Sequence, residues 1–248
     1  MIYASTYTYC LGRELGAEDA AAEFRRQVME PTEDSLPSAR AISRLRHLED
    51  IVLHIDAGAT SIGRARARSL HNFRQHGSAP DVWVSIDDDV DATTETLRWL
   101  LEAVRETRGV VAAPCALRRK EPVVNVIVAD GGIVRPVGKG GLMVKCVAAG
   151  AGLLAVHRDA LEAIHQARPE LLFRDEDGEI KLGCFAEVVQ DGHWWTEDIA
   201  FFVKWLPESV RRDILLTGKT THDGVLLDLA QVPQLPRMAY DASPRSVI

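Results

Sequence analysis

The chain has 248 residues, of which 46% are hydrophobic and 26% charged, and its formal net charge is −7. A chain of this length can bury a core of its own, and this composition is typical of a globular protein rather than a disordered one. The acidic balance argues against bulk affinity for nucleic acid.

Strand and helix patterns alternate over the first 115 residues. Short apolar runs rich in β-branched and aromatic residues alternate with longer segments of helical periodicity that have capping residues at their ends. The predicted strands are residues 2–9, 51–55, 82–86 and 110–113, and the predicted helices are 17–29, 36–48, 62–75 and 94–107. This alternation predicts an α/β fold with a Rossmann-like, mainly parallel sheet and helices on both of its faces.

The pattern changes after residue 115. Residues 122–147 are rich in Val and Gly and predict a β-ribbon, so this part forms a smaller β-rich region. Further on, Gly150 and Gly152 form a turn that leads into a helix. The remaining predictions are helices over 159–166 and 199–205, a polar loop over 174–181 and an extended tail from residue 232.

Nothing in the sequence indicates a membrane or secreted protein. No apolar run approaches the roughly 20 residues that span a bilayer, and no basic segment followed by an apolar one opens the chain. The cysteines contain no Cys-x-x-Cys pair, which argues against a zinc site or a disulfide framework. They are Cys10, Cys115, Cys146 and Cys184. We therefore expect a cytoplasmic protein with reduced thiols and no membrane partner.

Three consecutive carboxylates, Asp87, Asp88 and Asp89, follow the apolar strand pattern of residues 82–86. Adjacent acids repel one another unless they face water, cap a helix or hold a cation. Ligands bind at the carboxyl ends of strands in open α/β sheets. The triplet therefore indicates either a metal site for an anionic substrate or a capped turn before the helix at residues 94–107.

Two further motifs have both a functional and a structural interpretation. Glu197 and Asp198 follow Thr196 and precede an apolar helix, where such acids either act as a general base or cap the helix. His222 follows a strand-like segment in a Thr-His-Asp-Gly context, and its imidazole is either a metal ligand or a structural group.

In their order along the chain, these motifs resemble those of nucleotide-sugar glycosyltransferases of the GT-A fold, especially the family-2-like group and its short bacterial and phage relatives. The similarity covers about residues 50 to 225. It rests on Asp56 after the second strand, the arginine-rich helix 64–68, the acid triplet, the 150–152 turn, Glu197-Asp198 and Thr221-His222-Asp223-Gly224. The turn Asp56-Ala-Gly-Ala-Thr-Ser departs from the family's Asp-Asp-Gly-Ser, which leaves the nucleobase open.

The resemblance implies a divalent cation, Mn²⁺ or Mg²⁺, at the acid triplet. Asp87, Asp89 and His222 would hold this ion against the diphosphate of the donor, and hard cations prefer carboxylate oxygens. Asp87 and Asp88 would also line the donor site, with the Asp88 side chain on the other face of the strand.

Catalytic and donor-binding roles follow from the same resemblance. It implies that Asp198 removes the proton of the acceptor hydroxyl and that Glu197 orients the acceptor or the base. For the donor, it implies main-chain contacts near the first strand, an acid at the nucleobase, arginines at phosphate and glycines that allow close approach. These residues are Ser5, Thr6, Asp56, Arg66, Arg68, Gly150 and Gly152.

The expected function is metal-dependent, inverting transfer of a sugar from a nucleoside diphosphate sugar of UDP or GDP type to an acceptor hydroxyl. The acceptor is a carbohydrate, a protein or a hydroxymethylated DNA base, and basic clusters over residues 64–74 and 118–120 keep DNA among these alternatives. The rival functions are a non-catalytic nucleotide- or sugar-binding module and a nucleotidyltransferase.

No linker composition marks the change at residue 115, so we expect one GT-A domain over residues 1–248. It would consist of a nucleotide-binding half (1–115), an acceptor and catalytic half (116–230) and a C-terminal tail (231–248). The sequence leaves the donor sugar and the oligomeric state open.

Overall fold

The computed structural model describes residues 1–8, 14–57, 61–77, 79–116, 124–129, 131–190 and 192–234. The predicted tail beyond residue 234, the basic cluster at 118–120 and most of the turn after Asp56 lie outside the described residues. In the part that is described, no helix is long and apolar enough to cross a membrane.

The first half alternates strands and helices as predicted. The strands are β1 (Ile2–Thr8), β2 (Ile51–Ala57), β3 (Val82–Asp87), β4 (Val90–Ala92) and β5 (Val110–Ala112). The helices are α1 (Ala17–Met29), α2 (Pro37–Leu48), α3 (Ile62–Gln75) and α4 (Thr94–Thr107).

The second half consists mainly of short strands. They are β6 (Val126–Val128), β7 (Arg135–Val137), β8 (Gly141–Ala149), β9 (Leu153–His157), β10 (Leu172–Arg174), β11 (Ile180–Leu182), β12 (Val188–Gln190), β13 (His193–Trp195), β14 (Arg212–Leu215), β15 (Lys219–His222) and β16 (Val225–Asp228). The helices are α5 (Arg158–Ala167) and α6 (Glu197–Ala200), with a π-helical turn at Phe201–Trp205 and 3₁₀ turns at Pro169–Leu171 and Leu229–Gln234.

Capping side chains begin α3 and α4. The Ser61 hydroxyl accepts the backbone N–H of Arg64 at 3.4 Å at the start of α3, and the Thr93 hydroxyl accepts that of Thr96 at 3.3 Å at the start of α4. Pro37 occupies the first turn of α2, where its missing N–H leaves no hydrogen bond unmade.

In the described part of the chain, nine strands form the central sheet, in the order β2-β1-β3-β9-β5-β14-β8-β6, with β7 also on β8. β1 is parallel to β2 and β3, and β5 is parallel to β14. β9 is antiparallel to both β3 and β5, and β8 is antiparallel to β14, β6 and β7. Among the described strands of this sheet, β8 and β9 alone run against the rest. The prediction of an α/β fold with a mainly parallel sheet flanked by helices is confirmed, and the arrangement is consistent with a Rossmann-like GT-A-type fold.

Three details differ from the sequence-based prediction. The turn at residues 150–152 leads into the central strand β9 before α5 begins. The sequence analysis missed β9 because a short, fully buried apolar run has no alternation to identify it as a strand. The predicted loop 174–181 connects a small hairpin of β10 and β11. The helix predicted over 199–205 begins at Glu197 and ends in the π-helical turn.

Two packing contacts position the carboxyl end of β3. The Trp83 side chain is fully buried, and its indole N–H donates to the Ser69 hydroxyl of α3 at 2.8 Å. A second sheet joins β4, β15 and β16, and in it His222 lies opposite Val90. Because β4 starts three residues after β3 ends, this pairing brings His222 close to the acid triplet.

Candidate functional site

Asp87 is the last residue of β3 and follows five completely buried residues. Its backbone N–H donates to the carbonyl of Gly152 at 2.9 Å, which holds the turn before β9 against the acid triplet. Tyr7 of β1 is in register with Asp87. The carboxyl ends of β1, β2 and β3 thus meet at one edge of the sheet, where ligands of open α/β folds bind.

Arg66 joins two acids that lie far apart in the sequence. Its side chain is 1% exposed, and Nη2 donates to Oδ1 of Asp87 at 2.8 Å, while Nη1 donates to Oε1 of Glu197 at 3.4 Å. Nη2 also donates to the carbonyl of Ala151 at 3.2 Å. A guanidinium keeps its charge when buried and offers several fixed donors, so it suits a position between carboxylates. The acids of β3 and α6 therefore belong to one site.

Burial changes the acidity of both carboxyl groups. Desolvation raises the pKa of Asp87, and the Arg66 charge and hydrogen bond oppose this rise. Desolvation likewise raises the pKa of Glu197, again opposed by Arg66 and reinforced by Asp198. A carboxylate with a raised pKa is the stronger proton acceptor, which favours a role in proton transfer.

His222 and Asp89 form the second pair of the site. Nε2 of His222 lies 3.2 Å from Oδ2 of Asp89, and Nδ1 contacts the carbonyl oxygen of Ala116. Because that carbonyl only accepts, Nδ1 must be the donor in this contact. Nε2 then faces the carboxylate either as a protonated donor or with a lone pair that a cation can bind.

This pair fits two ligands of a divalent cation. Ligand bonds of about 2.1 Å in an octahedral shell place neighbouring donor atoms about 3 Å apart, close to the observed separation. Among the described residues, no group of three or more His, Cys, Asp or Glu side chains is arranged to hold a metal ion. Mg²⁺ commonly uses one or two carboxylates and completes its shell with substrate phosphates and water, so Asp89 and His222 could serve with a diphosphate.

Asp198 is held by three donors. Its Oδ1 accepts the Thr196 hydroxyl at 2.5 Å and the Ile199 backbone N–H at 2.7 Å, and its Oδ2 accepts Nδ2 of Asn125 at 3.0 Å. The backbone carbonyl of Asn125 in turn accepts the N–H of Gly150 at 2.7 Å. Asp198 therefore connects α6 to the segment before β6.

Asn125 is the site residue that the sequence analysis misses. Its Oδ1 atom is buried and has no hydrogen-bond partner among the described residues. The sequence feature that could have identified it is a single amide side chain in the otherwise apolar run of residues 123–128. A part-buried polar side chain in such a run needs a partner, and here that partner is Asp198.

The two predicted glycines border the acids. A Cβ atom on Gly150 would lie 3.6 Å from Oδ2 of Asp198, and one on Gly152 would lie 3.7 Å from Oδ2 of Asp87 and 3.3 Å from Val90. Side chains at these two positions would fill the space next to both carboxylates, which agrees with close approach of a ligand. Their contact with a donor stays a prediction.

The other predicted donor contacts are spread along the sheet edge. Ser5 and Thr6 are fully buried in β1, where the Ser5 hydroxyl donates to the carbonyl of Val84 at 3.3 Å. Asp56, next to last in β2, lines a hollow of about 330 Å³ beside α1. The carbonyl of Asp88 accepts the backbone N–H of Ser38 at 3.4 Å. Their roles as ligand contacts also stay predictions.

The described basic cluster of α3 is paired with acids. Arg64 and Arg68 donate to opposite oxygens of the buried Asp175, and the Arg68 hydrogen bond, with those of Arg64 and Lys181, holds the pKa of that carboxyl well below its usual range. Arg66 points to the other side, toward Asp87. Arg68 therefore faces the β10–β11 hairpin, and its predicted phosphate contact stays a prediction.

A cleft of about 750 Å³ lies beside Glu197. It extends along the beginning of α3 and under the segment between β11 and β12. Its lining combines apolar side chains with carboxylates. The large apolar side chains are Ile62, Leu171, Leu172, Phe173 and Phe185, and the acidic ones are Glu170, Glu187 and Glu197.

Comparisons with known proteins support the fold. No protein-family model and no curated protein matches the chain. The structure is similar to that of A197 from STIV, with a TM-score of 0.50 and 14% identity over 92% of this chain and 93% of that one. At this identity the likeness shows the fold alone.

Other solved structures are less similar. One is a glycosyltransferase involved in the glycosylation of the major capsid of PBCV-1 (TM-score 0.33, 10% identity, 68% of this chain and 66% of that one). Another is a UDP-glucose pyrophosphorylase complexed with UDP-glucose (TM-score 0.40, 10% identity, 89% and 92%). Structural similarity at these TM-scores does not indicate a function.

Proposed function

We propose that this chain transfers a sugar from a nucleoside diphosphate sugar to an acceptor hydroxyl, with inversion and with the help of a divalent cation. The observation that carries the proposal is the Arg66 bridge between Asp87 and Glu197. Displacement at a sugar carbon needs a place for the departing diphosphate and a base for the incoming hydroxyl. The bridge supports the proposal because it links an acid at the strand ends to an acid of α6.

On the donor side, Asp89 and His222 would hold Mn²⁺ or Mg²⁺, with Asp87 beside them. When bound, such an ion stabilises the negative charge that develops on the diphosphate. Arg66 favours the ionised form of Asp87, whose pKa burial would otherwise raise further. Gly152 leaves space for the diphosphate next to Asp87.

The Glu197-Asp198 pair would supply the base on the acceptor side. The resemblance favours Asp198 for this role and leaves Glu197 to orient it. Both acids lie in the first turn of α6.

Thermal-shift measurements with UDP, GDP, CDP and dTDP, each with and without MnCl₂, test this proposal. We expect one diphosphate to raise Tm only when Mn²⁺ is present, since a ligand at about 100 times its Kd stabilises the native state by about 2.7 kcal/mol. If no diphosphate raises Tm in Mn²⁺, the donor site proposed here does not exist. Turnover of the matching nucleotide sugar then excludes a binding module. Release of the nucleoside diphosphate without added pyrophosphate excludes a nucleotidyltransferase, which needs pyrophosphate to cleave a nucleotide sugar.

A further inference from the structure

Glu197 stands between the strand-end acids and the 750 Å³ cleft. It lines the cleft, and the Arg66 guanidinium donates hydrogen bonds to both Glu197 and Asp87. Asp198 is not among the residues that line the cleft. We propose that the acceptor binds in this cleft, that Glu197 takes the proton of its hydroxyl, and that the acceptor is an uncharged or amine-bearing compound with an apolar face. The inference rests on the glycosyl transfer proposed above.

The hydrogen bonds of the two acids favour Glu197 as the base. A base must present a lone pair to the acceptor hydroxyl, and Asp198, which accepts hydrogen bonds on both oxygens, does not line the cleft. On Glu197, Arg66 contacts Oε1 at 3.4 Å, a long hydrogen bond, and the side chain is 21% exposed. Asp198 then acts as a positioning residue that fixes the start of α6 and so the direction of its neighbour.

The transfer step balances without another reactant. The acceptor O–H bond breaks as its proton moves to a carboxylate oxygen of Glu197. The acceptor oxygen bonds to the anomeric carbon from the side opposite the diphosphate. The bond between that carbon and the phosphate oxygen breaks, and its electron pair leaves with the nucleoside diphosphate.

Charge decides the class of acceptor. Glu170, Glu187 and Glu197 line the cleft, and the Glu187 charge acts on Glu197. The one arginine of the lining, Arg64, is paired with Asp175 and with a neighbouring glutamate. A polyanion such as DNA would meet mainly carboxylates here, and repulsion disfavours it. The apolar lining favours a ligand with an aromatic or aliphatic face.

Two matched glycosides test the site without any nucleotide. 4-Nitrophenyl β-D-glucoside is neutral, and 4-nitrophenyl β-D-glucuronide has the same shape with an added carboxylate. Calorimetry should give a higher affinity for the glucoside, by up to about fivefold, the effect of one partly exposed charge contact. Equal or tighter binding of the glucuronide, or binding of a short DNA duplex at physiological salt, would overturn the assigned class.

Two variants locate the site. Ala186→Phe adds a ring at an exposed lining position and should abolish glucoside binding, whereas binding of a nucleoside diphosphate with Mn²⁺ should persist. Glu187→Gln should reduce the ratio of glucoside affinity to glucuronide affinity. The matched control Glu208→Gln, an exposed acid outside the lining, should leave this ratio unchanged. Unaltered glucoside binding in a folded Ala186→Phe protein would exclude the cleft.

The base assignment needs the nucleotide sugar whose diphosphate raises Tm. Glu197→Gln should lower transfer to the glucoside by about 10²- to 10⁴-fold and leave diphosphate binding intact, and this loss of rate should exceed the loss that Asp198→Asn causes. The reverse order would assign the base to Asp198. If the unmodified protein binds no nucleoside diphosphate, the proposed glycosyl transfer is wrong. The glucoside measurements would still decide whether the cleft is a binding site.

Discussion

Nη2 of Arg66 lies 2.8 Å from Oδ1 of Asp87, in a position where the arginine is almost completely buried. The same guanidinium also reaches Glu197 and stacks over the rings of Tyr7 and Phe185, at 5.9 and 5.3 Å from their centroids. The positive charge of the guanidinium interacts with the two carboxylates, and its planar face packs against the two aromatic rings. Removing it should therefore affect both the stability of the fold and the site.

Arg66→Met is predicted to destabilise the protein by about 3–5 kcal/mol, because it leaves two partly buried carboxylates without their shared cation. The matched control is Arg74→Met on the same helix, where the Arg74–Glu162 pair is partly exposed at 2.8 Å and should contribute less than about 1 kcal/mol. Urea unfolding near pH 7 measures both variants. Equal losses would show that the Arg66 bridge contributes no more than a surface ion pair.

Much of the fold could be predicted from the sequence, because local periodicity determines it. The predicted helices over 17–29, 62–75 and 94–107 agree with α1, α3 and α4, each with amphipathic spacing. The position of Asp87 at a strand end followed from the abrupt change from apolar residues to acids. Such patterns do not depend on the rest of the chain.

The connections within the site could not be predicted in this way. Strand β9 inserts between β3 and β5 through pairings that are distant in the sequence, and its four apolar residues have no periodicity of their own. The sequence also offered no reason to pair Asn125 with Asp198. Nor could it tell that Arg66 points to the acids while Arg68 points to Asp175.

Asn125→Ala is predicted to destabilise the protein by about 1–3 kcal/mol, since it leaves Oδ2 of the part-buried Asp198 carboxylate without its donor. A double-mutant cycle with Asp198→Ala should give a coupling energy of about 1 kcal/mol or more, because the two side chains are in direct contact. Urea unfolding of the two single variants and the double variant supplies the cycle. Strict additivity would mean that the hydrogen bond adds nothing to stability.

Asp89→Asn and His222→Ala are each predicted to weaken the Mn²⁺-dependent part of nucleoside diphosphate binding by at least about tenfold, since each removes one of two protein ligands. Binding without Mn²⁺ should change little. Calorimetry with and without the ion separates the two parts, and Asp34→Asn, an exposed acid in the turn before α2, is the control. Unchanged Mn²⁺ dependence in both variants would show that this pair holds no metal.

Glu197→Gln is predicted to alter how stability depends on pH. Burial raises the pKa of Glu197 in the folded state, so its contribution to stability is fully present below the unfolded value of about 4.5 and is lost as pH rises through the folded value. A glutamine cannot ionise, so its contribution to stability does not change with pH.

The stability of Glu197→Gln relative to the parent protein should therefore increase from about pH 4 to about pH 7. Arg66 limits the size of this increase, because it favours the ionised glutamate and retains Asp87 as a partner in the variant. Urea midpoints across this range measure the change, with Glu208→Gln as the exposed control, for which we expect a flat difference. A relative stability of Glu197→Gln that falls toward neutral pH would mean that the ion pair with Arg66 outweighs the desolvation of Glu197, and its carboxylate would then be a weaker base than proposed here.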